Sequence, residues 1–445
     1  YRRLWILHMA KPPKTEFVGP YDFSPSYAVP DDFSQYRLAG MEEKYQLAGM
    51  RMLELGFQDE AEMFYQKAHD LNPKAFAPAL NLGIIAGKKG KYVEAFKFLN
   101  AAKLIDPLRP EVLANIADIY MQQNKNDKAL YFYEKCLEIK PNFYVLRSYY
   151  ALCLLKLGRF EEGWEQYEIQ RDVEERPYTS PYWTGQRLKN KTIIVYCEGG
   201  FGDSVMMARY LPRLKDQGCK ILLCAFQKEM QFGKLLTECG AYSIHYADEP
   251  IPPHDYHCGL LSLPHRFPSP TPPAPINFIK VSDSCRKKWE KLLVDVDYRN
   301  FIKVGLCWAG NPAHRMDNKR SLAFSQLEPL LDIPHVKFVS LQKGVAANDC
   351  KGTVVHNFSK DMKTFEDTAA IIEKLDLVIS VDTAPVHVAG TMGKPVWMLS
   401  YFPGDWRWGT KGTKGYWYDS VKVLRKWTMK QLKEDLKTYD IKGNS

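Results

Sequence analysis

The chain reads as a helical solenoid followed by two α/β units, each a parallel sheet with helices on its faces. Three observations predict this. Pro73, Pro107 and Pro141 recur at intervals of 34 residues. After Tyr182-Trp183 the helical period gives way to short β-branched runs alternating with amphipathic stretches. Finally, a segment from Leu263 to Pro275 holding six prolines separates two such alternating blocks, and no central strand or helix accepts that density of proline.

In chain order, residues 1–10 carry basic residues before an apolar run too short for a signal-peptide core. They read as a remnant, with Met9 a candidate natural start. Residues 11–40, with Tyr21, Phe23, Tyr27 and Phe33 among prolines, read as an extended lead-in, so 1–41 stands apart from the fold.

The proline spacing is matched by other columns. Ala61, Ala95 and Ala129 lie twelve residues before the prolines and Gly163 continues the series; Tyr65, Leu99, Tyr133 and Tyr167 keep the same interval, as do Gly56, Gly90, Asn124 and Gly158. Each unit therefore predicts a helix, a turn at Gly or Asn, a second helix with a small residue where helices approach closely, and a proline that ends it. Four copies fit 42–75, 76–109, 110–143 and 144–177, filling a domain over 42–180. The fourth departs, with Glu175 at the proline position and Gln170 at the small one, as expected of a repeat that docks on something else. A solenoid offers a concave face for a peptide or protein; alternatively these helices only scaffold the α/β units.

Two α/β domains are expected over 185–280 and 281–445. In the first, Thr192–Cys197 and Lys220–Ala225 predict strands, and Asp203–Lys215 and Gln231–Cys239 helices. In the second, Ile302–Trp308, Val336–Leu341, Leu375–Val381 and Pro395–Ser400 predict strands. Continuous apolar runs of this kind suit parallel strands covered on both faces. A ligand then belongs outside the carboxyl ends of the strands.

Composition narrows the function. Apolar residues make up 45% and charged residues 25%, and no stretch approaches the roughly 20 apolar residues of a membrane span. The net charge of +9 is not gathered into a long run, so no nucleic-acid role is called for. The most basic region, Lys411, Lys414, Lys422, Arg425, Lys426, Lys430 and Lys433, reads either as a solvated face or as a peripheral contact for an anionic membrane. Ten scattered cysteines with no Cys-x-x-Cys pair read as reduced, buried thiols of a cytoplasmic protein, without a zinc site.

Three segments carry candidate chemistry. Glu198-Gly-Gly-Phe-Gly-Asp203 follows a strand and opens a helix; its glycines let backbone approach a ligand, while Asp203 reads either as a helix cap or as a general base in the cleft. Trp308-Ala-Gly-Asn311 leads into a polar loop with His314, Asp317, Lys319, Arg320 and Ser321. The adjacent cations there suit a diphosphate, or are a solvated pair. Ser380-Val-Asp-Thr-Ala-Pro-Val-His-Val-Ala-Gly390 runs from a buried strand into a helix with free N–H groups near 383–386; Thr383 also reads as a cap and His387 as a structural histidine. Asp295-Val-Asp297 and the group His254, His257 and Cys258 look superficially like metal ligands and are set aside.

Residues 190–430 resemble the glycosyltransferase domain that follows tetratricopeptide repeats in bacterial proteins, itself similar to heptosyltransferase-like (family 9) enzymes of the two-domain GT-B fold; the 34-residue units resemble the tetratricopeptide repeat. The likeness is carried by Glu198-x-Gly-x-Gly-Asp203, Ala208-Arg-Tyr-Leu-Pro212, Leu261-Ser-Leu-Pro264, Val304-Gly-Leu-x-Trp-Ala-Gly-Asn-Pro312, Lys319-Arg-Ser321, Ser340-Leu-Gln342, Asp376-Leu-Val-Ile-Ser-Val-Asp-Thr383, Gly393-Lys-Pro-Val-Trp397 and Asp405-Trp-Arg-Trp408. It implies an inverting, metal-independent transferase, needing no cofactor besides its nucleotide-sugar co-substrate. Asp203 would deprotonate the acceptor hydroxyl, with Glu198, Gly200 and Gly202 as the acceptor-side loop. Lys319, Arg320, Asp382, Thr383, Ala384, Asn311, Gln342 and His387 would form the donor diphosphate and sugar site. Gly199, where glutamine is common, and Pro385, where an aliphatic residue is usual, bear on donor or acceptor choice. The expected partners are a nucleotide sugar and an acceptor protein or glycan held by the repeats, with sugar, base and oligomeric state left open. The alternatives are a repeat scaffold with an inactive or sugar-sensing α/β half, and a glycan transferase at the inner membrane face.

Overall fold

The computed structural model describes residues 40–171, 178–225, 232, 234–237, 239–246, 249–269, 272, 278–293, 301–314 and 316–439. The lead-in to residue 39, Glu175 and the Asp295/Asp297 pair lie outside them, as does the side chain of Gln170. The chain divides into two compact units between Cys153 and Leu154.

The first unit is helical. Helices α1 (Met41–Glu54), α2 (Gln58–Leu71), α3 (Phe76–Lys88), α4 (Tyr92–Ile105), α5 (Pro110–Gln122), α6 (Asn126–Ile139) and the start of α7 (Tyr144–Lys156) follow one another, α1 pairing with α2, α3 with α4 and α5 with α6. The sequence columns have physical causes. Gly56, Gly90, Asn124 and Gly158 take φ of 84°, 74°, 58° and 81°, the left-handed turn conformation that glycine and asparagine accept most readily. Ala61, Ala95 and Ala129 are fully buried, and a Cβ on Gly83 would come within 2.7 Å of Leu99, so small residues stand where helices touch. Pro73, Pro107 and Pro141 fall two residues beyond the ends of α2, α4 and α6.

The second unit begins at the end of α7 and takes in α8 (Phe160–Arg171). The division falls inside the fourth repeat because Phe160 packs edge-on against Tyr416 and Trp417, and Trp164 against Trp406, all within this unit. Two parallel sheets follow. The first holds β1 (Thr192–Tyr196), β2 (Lys220–Ala225), β3 (Ser243–Tyr246) and β4 (Tyr256–Gly259), in the order β3-β2-β1-β4. The second holds β5 (Ile302–Cys307), β6 (Val336–Ser340), β7 (His356–Asn357), β8 (Leu377–Val381), β9 (Val396–Leu399) and β10 (Val421–Leu424), in the order β10-β9-β8-β5-β6-β7. That is a doubly wound order, with its reversal between β5 and β8; the first sheet reverses between β1 and β4. Helices α9 (Phe201–Met207), α10 (Leu211–Lys215), α11 (Leu263–Arg266), α12 (Asp283–Leu292), α13 (Asp317–Arg320), α14 (Phe365–Glu373), α15 (Ala384–Thr391) and α16 (Met429–Lys437) complete the unit.

Two local expectations change. The described part of Gln231–Cys239 forms successive turns, with Leu235 N–H on Phe232 O and Thr237 N–H on Lys234 O, instead of an α-helix. The first proline of the connector opens a helical turn, α11, because proline's missing N–H costs nothing at a helix start. The basic C-terminal residues are partly committed: Lys433 pairs with Asp332, and Arg425 donates to the carbonyls of Gly412 and Trp408. Among the described residues no helix is long and apolar enough to cross a membrane. All ten cysteines are free thiols, eight of them buried.

Candidate active site

Both sheets place a loop at their point of reversal. After β1 the chain turns through Glu198–Gly200 into α9. Gly199 has φ of 67°, and a Cβ there would meet Asp203 Oδ2 at 2.6 Å. Asp203 stands in the first turn of α9, where Gly200 N–H donates to its Oδ2 at 2.9 Å, and its Oδ1 pairs with the Arg407 guanidinium. One oxygen thus serves the helix start and the other the ion pair to the second α/β half. Glu198 Oε2 accepts Leu261 N–H at 3.1 Å, joining the exits of β1 and β4. Gly202 faces the other half: a Cβ would lie 2.6 Å from His387 Cδ2, so only hydrogen allows α9 and α15 to approach so closely.

In the second half, β8 is followed by Asp382, and Thr383 caps α15 by its backbone, its hydroxyl making no capping bond. Asp382 is 8% exposed; burial and the Asp405 carboxylate push its pKa up to about 7 against the pull of Arg407 and Arg320. His387 is 4% exposed and shares a 3.1 Å hydrogen bond with Tyr418 Oη, while its ring stacks on Trp408. Burial and the nearby Arg407 push its pKa down to about 3, so it is a neutral imidazole. The loop after β5 is tied by a polar knot. Gly310 N–H donates to Ser321 Oγ, Asp317 Oδ1 accepts from Ser321 Oγ and Arg320 Nε, and Arg320 Nη1 donates to Asp382 O at 3.1 Å.

The candidates therefore separate. Asp203, Asp382 and His387 converge around Arg407, Thr383 and Ala384 open α15 beside them, and Arg320 anchors the β5 loop to Asp382. Lys319 is exposed and, among the described residues, has no ion-pair partner. Asn311 is exposed and accepts Ala313 N–H, an Asx turn. Gln342 is otherwise occupied: its Oε1 accepts from Trp308 and Ala309 N–H and its Nε2 donates to Ala309 O, which stitches the β5 exit to the β6 exit. His254 bonds to Pro252 O and His257 to Ser180 Oγ; among the described residues no His/Cys/Asp/Glu cluster could hold a metal.

Sequence reasoning leaves Arg407 without a role. It is 18% exposed at the side chain, pairs with Asp203 and, at 2.5 Å, with Asp405, and lies over the Trp406 ring. Burial alone would lower its pKa, but Asp203, Asp405 and Asp382 together raise it, so the guanidinium is permanently charged.

The family model of the tetratricopeptide repeat matches residues 110–143, and that of Glycosyltransferase family 9 (heptosyltransferase) matches 362–400, the stretch holding β8, Asp382 and α15. The chain is a tetratricopeptide-repeat glycosyltransferase. The transferase is 26% identical over 436 residues to Protein FlbA of Caulobacter vibrioides, covering 88% of this chain and 71% of that one. It is 34% identical over 83 residues to the Photosystem I assembly protein Ycf3 of Prochlorococcus marinus, covering 18% and 48%. An O-GlcNAc transferase mutant from Thermobaculum terrenum overlaps it at a TM-score of 0.32 and 13% identity, over 83% of this chain and 84% of that one. Among the described residues the Asp203 carboxylate accepts only from Gly200 and Arg407, so it has the capacity to accept a further proton donor.

Proposed function

We propose that the transferase moves a sugar from a nucleotide-sugar donor to an acceptor hydroxyl with inversion and without a metal, the acceptor being a protein held by the repeats. Asp203 takes the acceptor's proton. The acceptor oxygen bonds to the anomeric carbon, and the bond from that carbon to the diphosphate breaks with its electron pair on the departing nucleoside diphosphate. Lys319, the Ala384 N–H and Thr383 Oγ1 offset the charge gathering there, where it grows most in the transition state. One observation carries the reading: the carboxylate at the exit of β1 is held by a guanidinium of the other α/β half, beside the family 9 segment. A base whose side chain is held by a further group is a recurrent arrangement for activating a hydroxyl nucleophile.

Asp203→Asn tests it. The variant should lose turnover by about 10²- to 10⁴-fold while binding nucleoside diphosphate as the wild type does, with transfer in the parent insensitive to chelators. Turnover that survives in Asp203→Asn overturns the role of the base; lost nucleotide binding would move Asp203 to the donor side.

A further inference from the structure

Lys156 closes α7 and is 2% exposed, yet it lies far in sequence from the site. Its Nζ donates to two consecutive carbonyls, Pro403 O and Gly404 O, each at 3.1 Å. The next residue is Asp405, whose Oδ1 accepts Arg407 N–H at 3.1 Å and pairs with the Arg407 guanidinium. Tyr416 Oη donates back to Lys156 O, and Phe160 and Trp164 pack against Tyr416, Trp417 and Trp406 on either side of that turn. Long side chains are seldom fully buried, and a buried amine that bonds to a turn fixes the path of the backbone there. The loop after β9 has little regular structure of its own, a single 3₁₀ turn at Trp406–Trp408, so these contacts are what set where Arg407 points.

We propose that Lys156 is a positioning residue for transfer: it holds the Pro403–Gly404 turn so that Arg407 meets Asp203. This rests on Asp203 as the base. The ammonium touches no substrate; it acts through two carbonyls, the Asp405 cap and the guanidinium. A displacement of about 1 Å in a catalytic group can cost on the order of 10²-fold in rate, so loss of the tether should be felt in kcat.

The test is a double-mutant cycle on the full chain. Lys156→Met keeps the side chain's length and removes the amine; Arg407→Gln removes the guanidinium. Each should lower kcat by about ten- to a hundredfold with donor KM little changed, and the double variant should be no slower than the worse single one, because both act through one contact. Lys156→Arg, which keeps a cationic donor, should recover part of the loss. Losses that multiply in the double variant overturn the proposal, as does a Lys156→Met protein that folds and turns over like the wild type. If Lys156→Met does not fold, Lys156→Arg and Lys156→Gln decide by the same cycle. Asp203→Asn reports on the base separately: if it turns over, that reading fails, while non-additivity between Lys156 and Arg407 still decides the tether.

Discussion

Gly202→Ala adds one methyl group at a close contact between the two α/β halves. The new Cβ would lie 2.6 Å from His387 Cδ2. The His387 ring cannot yield, being stacked on Trp408 and bonded to Tyr418 Oη. Restoring an ordinary carbon contact of about 3.5 Å therefore moves α9 and α15 apart by roughly 0.9 Å. Overpacking of this kind costs about 1–3 kcal/mol. For a unit of this size that lowers Tm by about 2–5 °C. Asp203 is the next residue, so the same shift stretches its ion pair with Arg407, and kcat should fall by about ten- to a hundredfold. Gly200→Ala is the control: its φ is −88° and a Cβ would meet only Asp203 Oδ2, at 3.7 Å, an ordinary contact. Differential scanning calorimetry with a donor-saturated turnover assay reads both effects. A Gly202→Ala protein that melts with Gly200→Ala and turns over like the wild type would refute the close approach, and with it the placing of Asp203 against the second half.

Asp382 gives a pH signature. Its pKa is raised from below 4 to about 7, so the native state holds this proton more tightly than the unfolded chain; stability is fully present below about pH 4 and falls as pH rises through about 7. Asp382→Asn should flatten that slope, by a few kcal/mol at most between the two limits, and parallel Tm–pH curves for the two proteins would reject it. Lys319→Ala, at an exposed position, should leave Tm unchanged while raising donor KM about tenfold; an unchanged donor KM would remove Lys319 from the diphosphate site.

Legibility in the sequence tracks the range of the force involved. The turn column of Gly56, Gly90, Asn124 and Gly158 shows because a positive φ is a demand on one residue, met by two residue types. Strands β1, β2, β5, β6, β8 and β9 show because parallel strands covered on both faces become unbroken apolar runs. Three of the unread strands lack that cause. Residues Ser243–Tyr246 are half-buried throughout and β7 is two residues long. Strand β10 alternates Val-Lys-Val-Leu at a sheet edge inside a stretch whose lysines and arginines mask it.

The site divides on the same ground. Asp203 and Asp382 can be singled out because each directly follows a strand exit or opens a helix, positions that local patterning marks. Arg407 stands in a loop of no period, and its partner Asp203 lies 204 residues away, so nothing local distinguishes it from a solvated arginine. Its one cue is company: flanked by Trp406 and Trp408 after an acidic residue, a guanidinium gains a π face and a counter-ion in its own turn, which burial requires and a surface arginine does not. Gln342 is the converse. A buried glutamine at a strand exit has the chemistry of a ligand, but its amide matches the donors and the acceptor of the neighbouring strand end, Trp308 and Ala309. Strand-end polar residues therefore need a second criterion before a function is assigned: whether adjacent backbone exhausts their hydrogen bonds. Gln342 fails it by its three bonds to Trp308 and Ala309, and Asp203, with one backbone bond and one ion pair across to the other half, does not.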